Sequence, residues 1–210
     1  MTSDKVKALL VALLLLWSPA LLDAQTAKDP LASRSKGAPA APVTVYEMSD
    51  FQCPYCRRHA LEVFPAIERE YVQTGKVRWV FINLPLVSIH ANALPAAELA
   101  VCAARLGKFW PVHDLLFQHQ ATWAPLKEPG PFLLSLADSV KLPRAPLARC
   151  LESEAARAEI QAEAQGSERA GAASTPTFYI EGGLLTGARP PELWRQVLDS
   201  IYADKVSSRK

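Results

Sequence analysis

The sequence predicts an α/β fold interrupted by a long helical insertion, and three observations carry that expectation. Short β-branched, apolar runs stand in the first half and near the C-terminal end. Between them, from about Ala91 to Gln165, the pattern is Ala- and Leu-rich and helical, broken by prolines at 125, 129, 131, 143 and 146. Helical stretches closed by glycine or started by proline follow the first and the last strand runs.

In chain order, Lys5 and Lys7 precede an apolar run from Ala8 to Trp17. Pro19 and a small-residue region ending near Ala24 follow, the layout of an export signal at residues 1–24. An uncleaved N-terminal membrane anchor is the alternative, disfavoured because the run falls short of the roughly 20 residues that a spanning helix needs. Export places the chain in an oxidising space, where disulfides persist. Residues 25–42 are small, polar and proline-rich and read as a flexible leader.

Val43 to Met48 is the first strand and residues 54–72 its helix, with Gly75 just beyond the end. Val77 to Ile82 forms the second strand, and the helical insertion occupies about 88–168. Thr177 to Ile180 is the third strand, and Gly182-Gly183 turns it into Leu184-Leu185-Thr186. The last helix runs from about Pro190 to Ala203, with Leu193, Val197 and Ile201 spaced four apart, leaving 204–210 as a tail. The domain therefore spans 43–203.

Composition narrows the function classes. The 210 residues are 50% hydrophobic, enough to fill one core and to argue against disorder. Lys and Arg total 23 against 21 acidic residues, a balance that gives no reason to expect a nucleic-acid partner. Four cysteines are too few for a disulfide-stapled miniature scaffold.

Two of them form Cys53-Pro54-Tyr55-Cys56 at the junction of the first strand and its helix. A thiol at a helix N-terminus meets unpaired N–H groups and the positive dipole end, both of which favour the thiolate. Pro54 suits the first helical position, where a missing N–H costs nothing. Cys56, one turn inward, is placed to attack a mixed disulfide formed on Cys53. Arg57 and Arg58 are expected to lower the Cys53 pKa further. A zinc half-site lacks a second ligand pair, since neither Cys102 nor Cys150 has a partner at ligand spacing, so no metal is expected. A purely structural disulfide is the other bland reading, and a helix-start Cys-x-x-Cys after a strand argues against it.

Strand alternation puts Val43, Val45 and Glu47 on one face of a strand expected to be covered on both sides. A carboxyl there is desolvated with a raised pKa and is suited to exchange the proton of Cys56; an exposed strand-end Glu is the alternative. Cys102 and Cys150 both lie in helical stretches of the insertion. In an oxidising space a second, structural disulfide is the simplest reading, with two free thiols or an electron relay as alternatives. His59 is expected to project from the helix surface into solvent, with a pKa-tuning role as the alternative; His90 and His113 are expected to pack or cap, and His119 has no context.

The stretch from Ala41-Pro42-Val43-Thr44-Val45 through Ser49-Asp50-Phe51-Gln52-Cys53-Pro54-Tyr55-Cys56 resembles the exported DsbA-like thiol:disulfide oxidoreductases of bacteria. So do Gly107-Lys108-Phe109-Trp110, His113 to Phe117, and Ser174-Thr175-Pro176-Thr177-Phe178. The resemblance implies a thioredoxin-like fold with an inserted α-helical domain and no cofactor. It also implies a cis Pro176 facing the cysteine pair, with Thr175 offering its backbone to an extended substrate, and a buried acid at Glu47. Pro54 and Tyr55 depart from the Pro-His centre of the strongest oxidases of the family, so a milder oxidant is expected. The implied activity is dithiol oxidation of unfolded or cysteine-containing exported proteins by a periplasmic monomer, regenerated by a membrane redox partner. A disulfide isomerase, a reductase and a non-catalytic exported chaperone or binding module are the alternatives.

Overall fold

The computed structural model describes residues 31–208. The expected export signal at 1–24, residues 25–30 of the leader and residues 209–210 of the tail lie outside the described residues.

A five-stranded mixed sheet has the order β1-β3-β2-β4-β5. Its strands are β1 (Ser35–Lys36), β2 (Val43–Ser49), β3 (Val77–Asn83), β4 (Thr177–Ile180) and β5 (Gly183–Thr186). The central pair, β2 and β3, is parallel, with Val45 opposite Trp79 and Glu47 opposite Phe81. The other ladders are antiparallel, β4 setting Phe178 opposite Glu47. Parallel neighbours need a crossover, and α1 (residues 54–72) supplies it.

That helix is not uniform. α-Helical Pro54–Arg58 and Phe64–Ile67 alternate with π-helical His59–Val63 and Glu68–Val72. Pro65 has no N–H for the carbonyl one turn back, and the preceding turn widens so that the Phe64 N–H reaches the His59 carbonyl.

Between β3 and β4 run α2 (Ala93–Arg105), α3 (Phe109–Gln118), α4 (Gln120–Trp123), α5 (Gly130–Ser139), α6 (Arg144–Glu152) and α7 (Glu154–Arg169). The chain closes with α8 (Pro191–Ser207). Prolines 131 and 191 sit in first turns, where a missing N–H is harmless. Among the described residues no helix is long and apolar enough to cross a membrane.

One core lies between the sheet and the pair α1 and α8. It holds Val43, Val45, Phe64, Ile67, Trp79, Phe178 and Trp194. A second core fills the helical insertion and continues into Phe51, Cys53, Cys56 and Phe81. The cysteine pair therefore sits where the insertion meets the sheet.

Two expectations about the termini are corrected. Residues 31–42 are not a loose leader. Ser35 and Lys36 pair with Val80 and Trp79 along the open edge of β3. Arg34, 1% exposed, joins Glu163 and Glu159 of α7. Gly37 allows the close return, since a Cβ there would stand 2.4 Å from the Val77 carbonyl oxygen at a φ of 90°. Composition alone conceals a segment whose order comes from long-range partners. At the other end α8 continues through the expected tail to Ser207, helped by the ion pair between Lys205 and Glu181.

Candidate active site

Cys53 caps the N-terminus of α1 with extended backbone (φ −71°, ψ 125°), and Pro54 takes the first helical position. The Cys53 thiol lies 3.4 Å from the Thr175 carbonyl oxygen, to which it donates. The Thr175–Pro176 peptide is cis. Cys53, Cys56, Thr175 and Pro176 thus come together, while Pro54 and Tyr55 form the outward lip, Tyr55 being 58% exposed. The Arg58 guanidinium lies over the Tyr55 ring at 5.5 Å.

Cys53 and Cys56 are free thiols in very different surroundings. Cys53 falls from the ordinary thiol value of 9.0 to about 6. The main cause is the hydrogen bond from Cys56; the Thr175 side chain and the backbone N–H groups of Cys56 and Tyr55 add to it against the opposing cost of burial. Cys56 is pushed well up, first by burial and then by the Cys53 sulfur. The Asp50 N–H, 3.5 Å from the Cys56 sulfur, opposes the rise. The two thiols are thus pushed in opposite directions, Cys53 toward the thiolate and Cys56 toward the protonated form.

The contribution expected from Arg57 and Arg58 is corrected. The Arg57 Nε donates to the Phe117 carbonyl at 3.1 Å and the Arg58 Nη2 to the Ala188 carbonyl at 2.9 Å. Both guanidinium groups serve the scaffold, and the thiolate is favoured by short-range donors instead.

Glu47 is 2% exposed, and burial raises its pKa. Its Oε2 accepts from the Trp79 indole at 2.8 Å. Among the described residues no direct hydrogen bond joins Glu47 to Cys56. The Ser49 hydroxyl, two residues further along the same strand face, favours the charged form of each.

His59 is corrected most sharply. It is wholly buried, stacked on Trp79 at 5.7 Å and set against Phe178 and Trp194. One turn beyond Cys56, it falls on the core face of α1, and burial lowers its pKa to about 3. Phe64 and Phe178 complete an aromatic cage that an isolated helix pattern does not reveal. His113 packs among Phe51, Phe81 and Phe117, and its Nδ1 meets Asp114 at 2.9 Å. His119 rests against Phe132.

Sequence reasoning missed the residues that hold the loop before Cys53. Asp50, buried to 1% exposure, accepts from the Gln52 and Leu86 N–H groups and meets His90 Nδ1 at 2.7 Å. Gln52 holds the Asn92 N–H and the Ala124 carbonyl. From the insertion, Gln120 donates to the Phe51 and Cys53 carbonyls at 2.6 and 3.0 Å. Asp50 and Gln52 were readable as polar residues beside the motif; Asn92 and Gln120 carry no local signal. Cys102 of α2 and Cys150 of α6 are joined by a disulfide.

A five-stranded mixed sheet with a helix-capping Cys-x-x-Cys opposite a cis proline defines a thioredoxin-like protein with a helical insertion. A protein-family model described as thioredoxin matches residues 31–200. The chain belongs to this family. Among solved structures it is similar to alpha-DsbA1 of Wolbachia pipientis, with a TM-score of 0.75 at 21% identity, covering 84% of this chain and 94% of that one. That likeness identifies the fold as DsbA-like. Disulfide bond formation protein D of Bacillus subtilis is 30% identical over 69% of this chain and 66% of its own length. The Na(+)/H(+) antiporter NhaA 1 of Salinispora arenicola is 31% identical over 89% of this chain. The chain spans only 27% of that antiporter's length.

Proposed function

We propose that this chain is an exported thiol:disulfide oxidoreductase that works as a dithiol oxidase on unfolded or cysteine-containing polypeptides. The observation that carries the reading is the contrast between the two thiols. Cys53 sits at the helix cap with its pKa lowered to about 6, while Cys56 is buried and pushed up. A low-pKa thiol is also a good leaving group, so a mixed disulfide on Cys53 breaks readily in favour of an oxidised substrate. The name of the Bacillus subtilis relative supports the same chemistry.

The reaction begins with the Cys53–Cys56 disulfide. A substrate thiolate attacks the Cys53 sulfur, and Cys56 leaves and takes up a proton. The substrate segment lies against Thr175-Pro176 and pairs with the Thr175 backbone in extended form, with Tyr55 offering an exposed ring beside it. A second substrate thiolate then attacks the substrate sulfur, and Cys53 leaves as a thiolate. The substrate gains a disulfide and the pair is left reduced. An electron-accepting membrane partner of the periplasm reoxidises it. The Cys102–Cys150 disulfide is assigned a structural role, bracing α2 against α6.

Equilibration of the Cys53–Cys56 couple with glutathione tests this. An oxidase is expected on the oxidising side of about −200 mV, compared with about −120 mV for DsbA and about −270 mV for thioredoxin. A potential near the thioredoxin value means a reductase. A disulfide that glutathione cannot open, or a Cys53→Ser variant that still oxidises a reduced unfolded polypeptide, overturns the proposal.

A further inference from the structure

Two strips of chain flank the approach to Cys53, and one arginine ties them together. Arg58, in the first turns of α1, donates through Nη2 to the Ala188 carbonyl at 2.9 Å and sets its guanidinium over the Tyr55 ring. Arg189, the residue after Ala188, donates through Nε to the Thr186 carbonyl at 2.7 Å. The same loop is bonded to the cis proline, the Gly187 N–H donating to the Pro176 carbonyl at 2.8 Å. On the other side of that peptide the Cys53 thiol meets the Thr175 carbonyl. Both guanidinium groups are thus held on carbonyls of residues 186–188, next to the Thr175–Pro176 peptide assigned above to the substrate strand.

Both side chains are exposed, and among the described residues neither forms an ion pair. Arg144, Arg157 and Arg195, on other parts of the surface, each meet a carboxylate within 2.9 Å. A lone unpaired arginine on a surface is only a solvated charge. Here the two heads are anchored, and each anchor takes one of five N–H donors, which leaves a fork able to grip a carboxylate. Holding the head in place beforehand removes part of the entropy cost that weakens exposed ion pairs. Residues 53–58 and 186–190 contain no acid to offset the charge. Glu62, one turn beyond Arg58, is not bonded to it among the described residues. Arg57 is engaged elsewhere, on the Phe117 carbonyl of α3.

We propose that Arg58 and Arg189 form an acid-binding rim, so that polypeptides with Asp or Glu close to the reactive cysteine are the preferred substrates. This inference rests on the disulfide-exchange reading above and names the substrate class of that site. An extended segment advances about 3.3 Å per residue, so acids within a few places of the cysteine are the ones in reach of the rim. The rim selects by charge, through encounter rate and salt dependence more than through tight binding.

The test uses the oxidised protein and two single-cysteine peptides that differ only in carrying Glu or Gln on both sides of the cysteine. The first peptide thiolate attacks Cys53, and Cys56 leaves and takes up a proton. A second peptide thiolate attacks the bound peptide sulfur, and Cys53 leaves, giving a peptide disulfide and the dithiol protein. Each rate is divided by the same peptide's rate with the neutral reagent 2-hydroxyethyl disulfide, which removes differences in thiol basicity. At low salt the normalised rate is expected to be about threefold to tenfold higher for the Glu peptide. The ratio is expected to fall toward one at about 0.5 M salt, where screening is strong. Arg58→Gln with Arg189→Gln is expected to bring the low-salt ratio to one. Arg189→Glu, at an exposed position that braces nothing outside its own loop, is expected to do the same without disturbing the Arg58 contact. Arg58→Lys keeps the charge but not the fork, and is expected to keep a reduced preference. A wild-type ratio of one, a ratio indifferent to salt, or a preference that survives in the Arg58→Gln, Arg189→Gln variant overturns the inference. A Cys53–Cys56 disulfide that neither peptide can reduce overturns the exchange reading itself.

Discussion

The Trp79 indole donates to the Glu47 carboxyl at 2.8 Å across the parallel β2–β3 ladder, where Trp79 stands opposite Val45, two residues before Glu47. This diagonal contact fixes the orientation of the one acid on that strand face. Trp79→Phe keeps the aromatic packing and removes the indole N–H that donates to the carboxyl. The Glu47 pKa, already raised by burial, is expected to rise further. Difference infrared spectroscopy of the protonated carboxyl band across pH, with Glu47→Gln as the blank, reads the shift. Folding is expected to cost about 1–3 kcal/mol more, the usual penalty for an unpaired buried polar group.

The two thiols predict opposite pH dependences for the reduced protein. Cys53 is depressed from 9.0 to about 6, so its contribution to stability is fully present above pH 9 and is lost as pH falls through about 6. Cys56 is raised, so its share is present below pH 9 and is lost as pH climbs through its folded value. The reduced protein is therefore expected to gain thermal stability over the oxidised form between pH 6 and 9. Cys53→Ser removes that gain. Alkylation of the reduced protein by iodoacetamide is expected to follow a single titration near pH 6 at Cys53, with Cys56 unmodified. A midpoint near 9 contradicts the assignment.

His59 predicts an acid sensitivity. It lies in an aromatic cage with both ring nitrogens unpartnered among the described residues, and burial lowers its pKa from 6.5 to about 3. Its favourable share is present above pH 6.5 and is lost as pH falls toward 3, because the unfolded chain binds the proton first. From these values the loss between pH 7 and 4 is about 3 kcal/mol. Urea unfolding at the two pH values measures it, and His59→Phe is expected to abolish most of the difference.

How much of this was legible in the sequence depends on the range of the interactions. The strands at Val43 and Val77, the turn at Gly182 and the helix after Cys53 follow from local alternation, punctuation and capping. Cys53, Cys56 and Pro176 were legible because they lie in short, specific motifs. The cage around His59 was not, because β3, β4 and α8 each contribute to it. Nor was the grip of Gln120 on the Cys53 carbonyl, which joins positions 67 residues apart. The burial of Ser49 and Glu47 could be inferred from strand alternation, but their unpaired oxygens could not.

The Cys102–Cys150 disulfide spans a sequence separation of 48 and ties α2 to α6. Cross-linking a loop of that length is worth about 4 kcal/mol on the chain-entropy account. Cys102→Ala with Cys150→Ala is expected to lower unfolding free energy by about that amount. The kinetics of Cys53 with the aromatic disulfide 5,5′-dithiobis(2-nitrobenzoate) are expected to stay within about twofold if the second pair only braces the insertion. A large change in that rate makes the second pair part of the chemistry.

Arg34 gives the strongest stability prediction outside the site. Its guanidinium, 1% exposed, meets Glu163 at 2.8 Å through Nη1 and Glu159 at 2.8 Å through Nη2, tying the residues before β1 to α7. Glu163 in turn accepts from the backbone and side-chain N–H groups of Asn83 at the end of β3. Burying such charges gains little over apolar packing, but removing one partner leaves the other charge uncompensated. Arg34→Ala is therefore expected to cost about 3 kcal/mol or more, and pairing it with Glu163→Gln is expected to recover part of that loss. Hydrogen exchange at Ser35 and Lys36 is expected to speed up in Arg34→Ala, because β1 pairs with β3 over only those two residues. Unchanged exchange there means that the strand pairing alone holds the segment and that Arg34 is incidental to it.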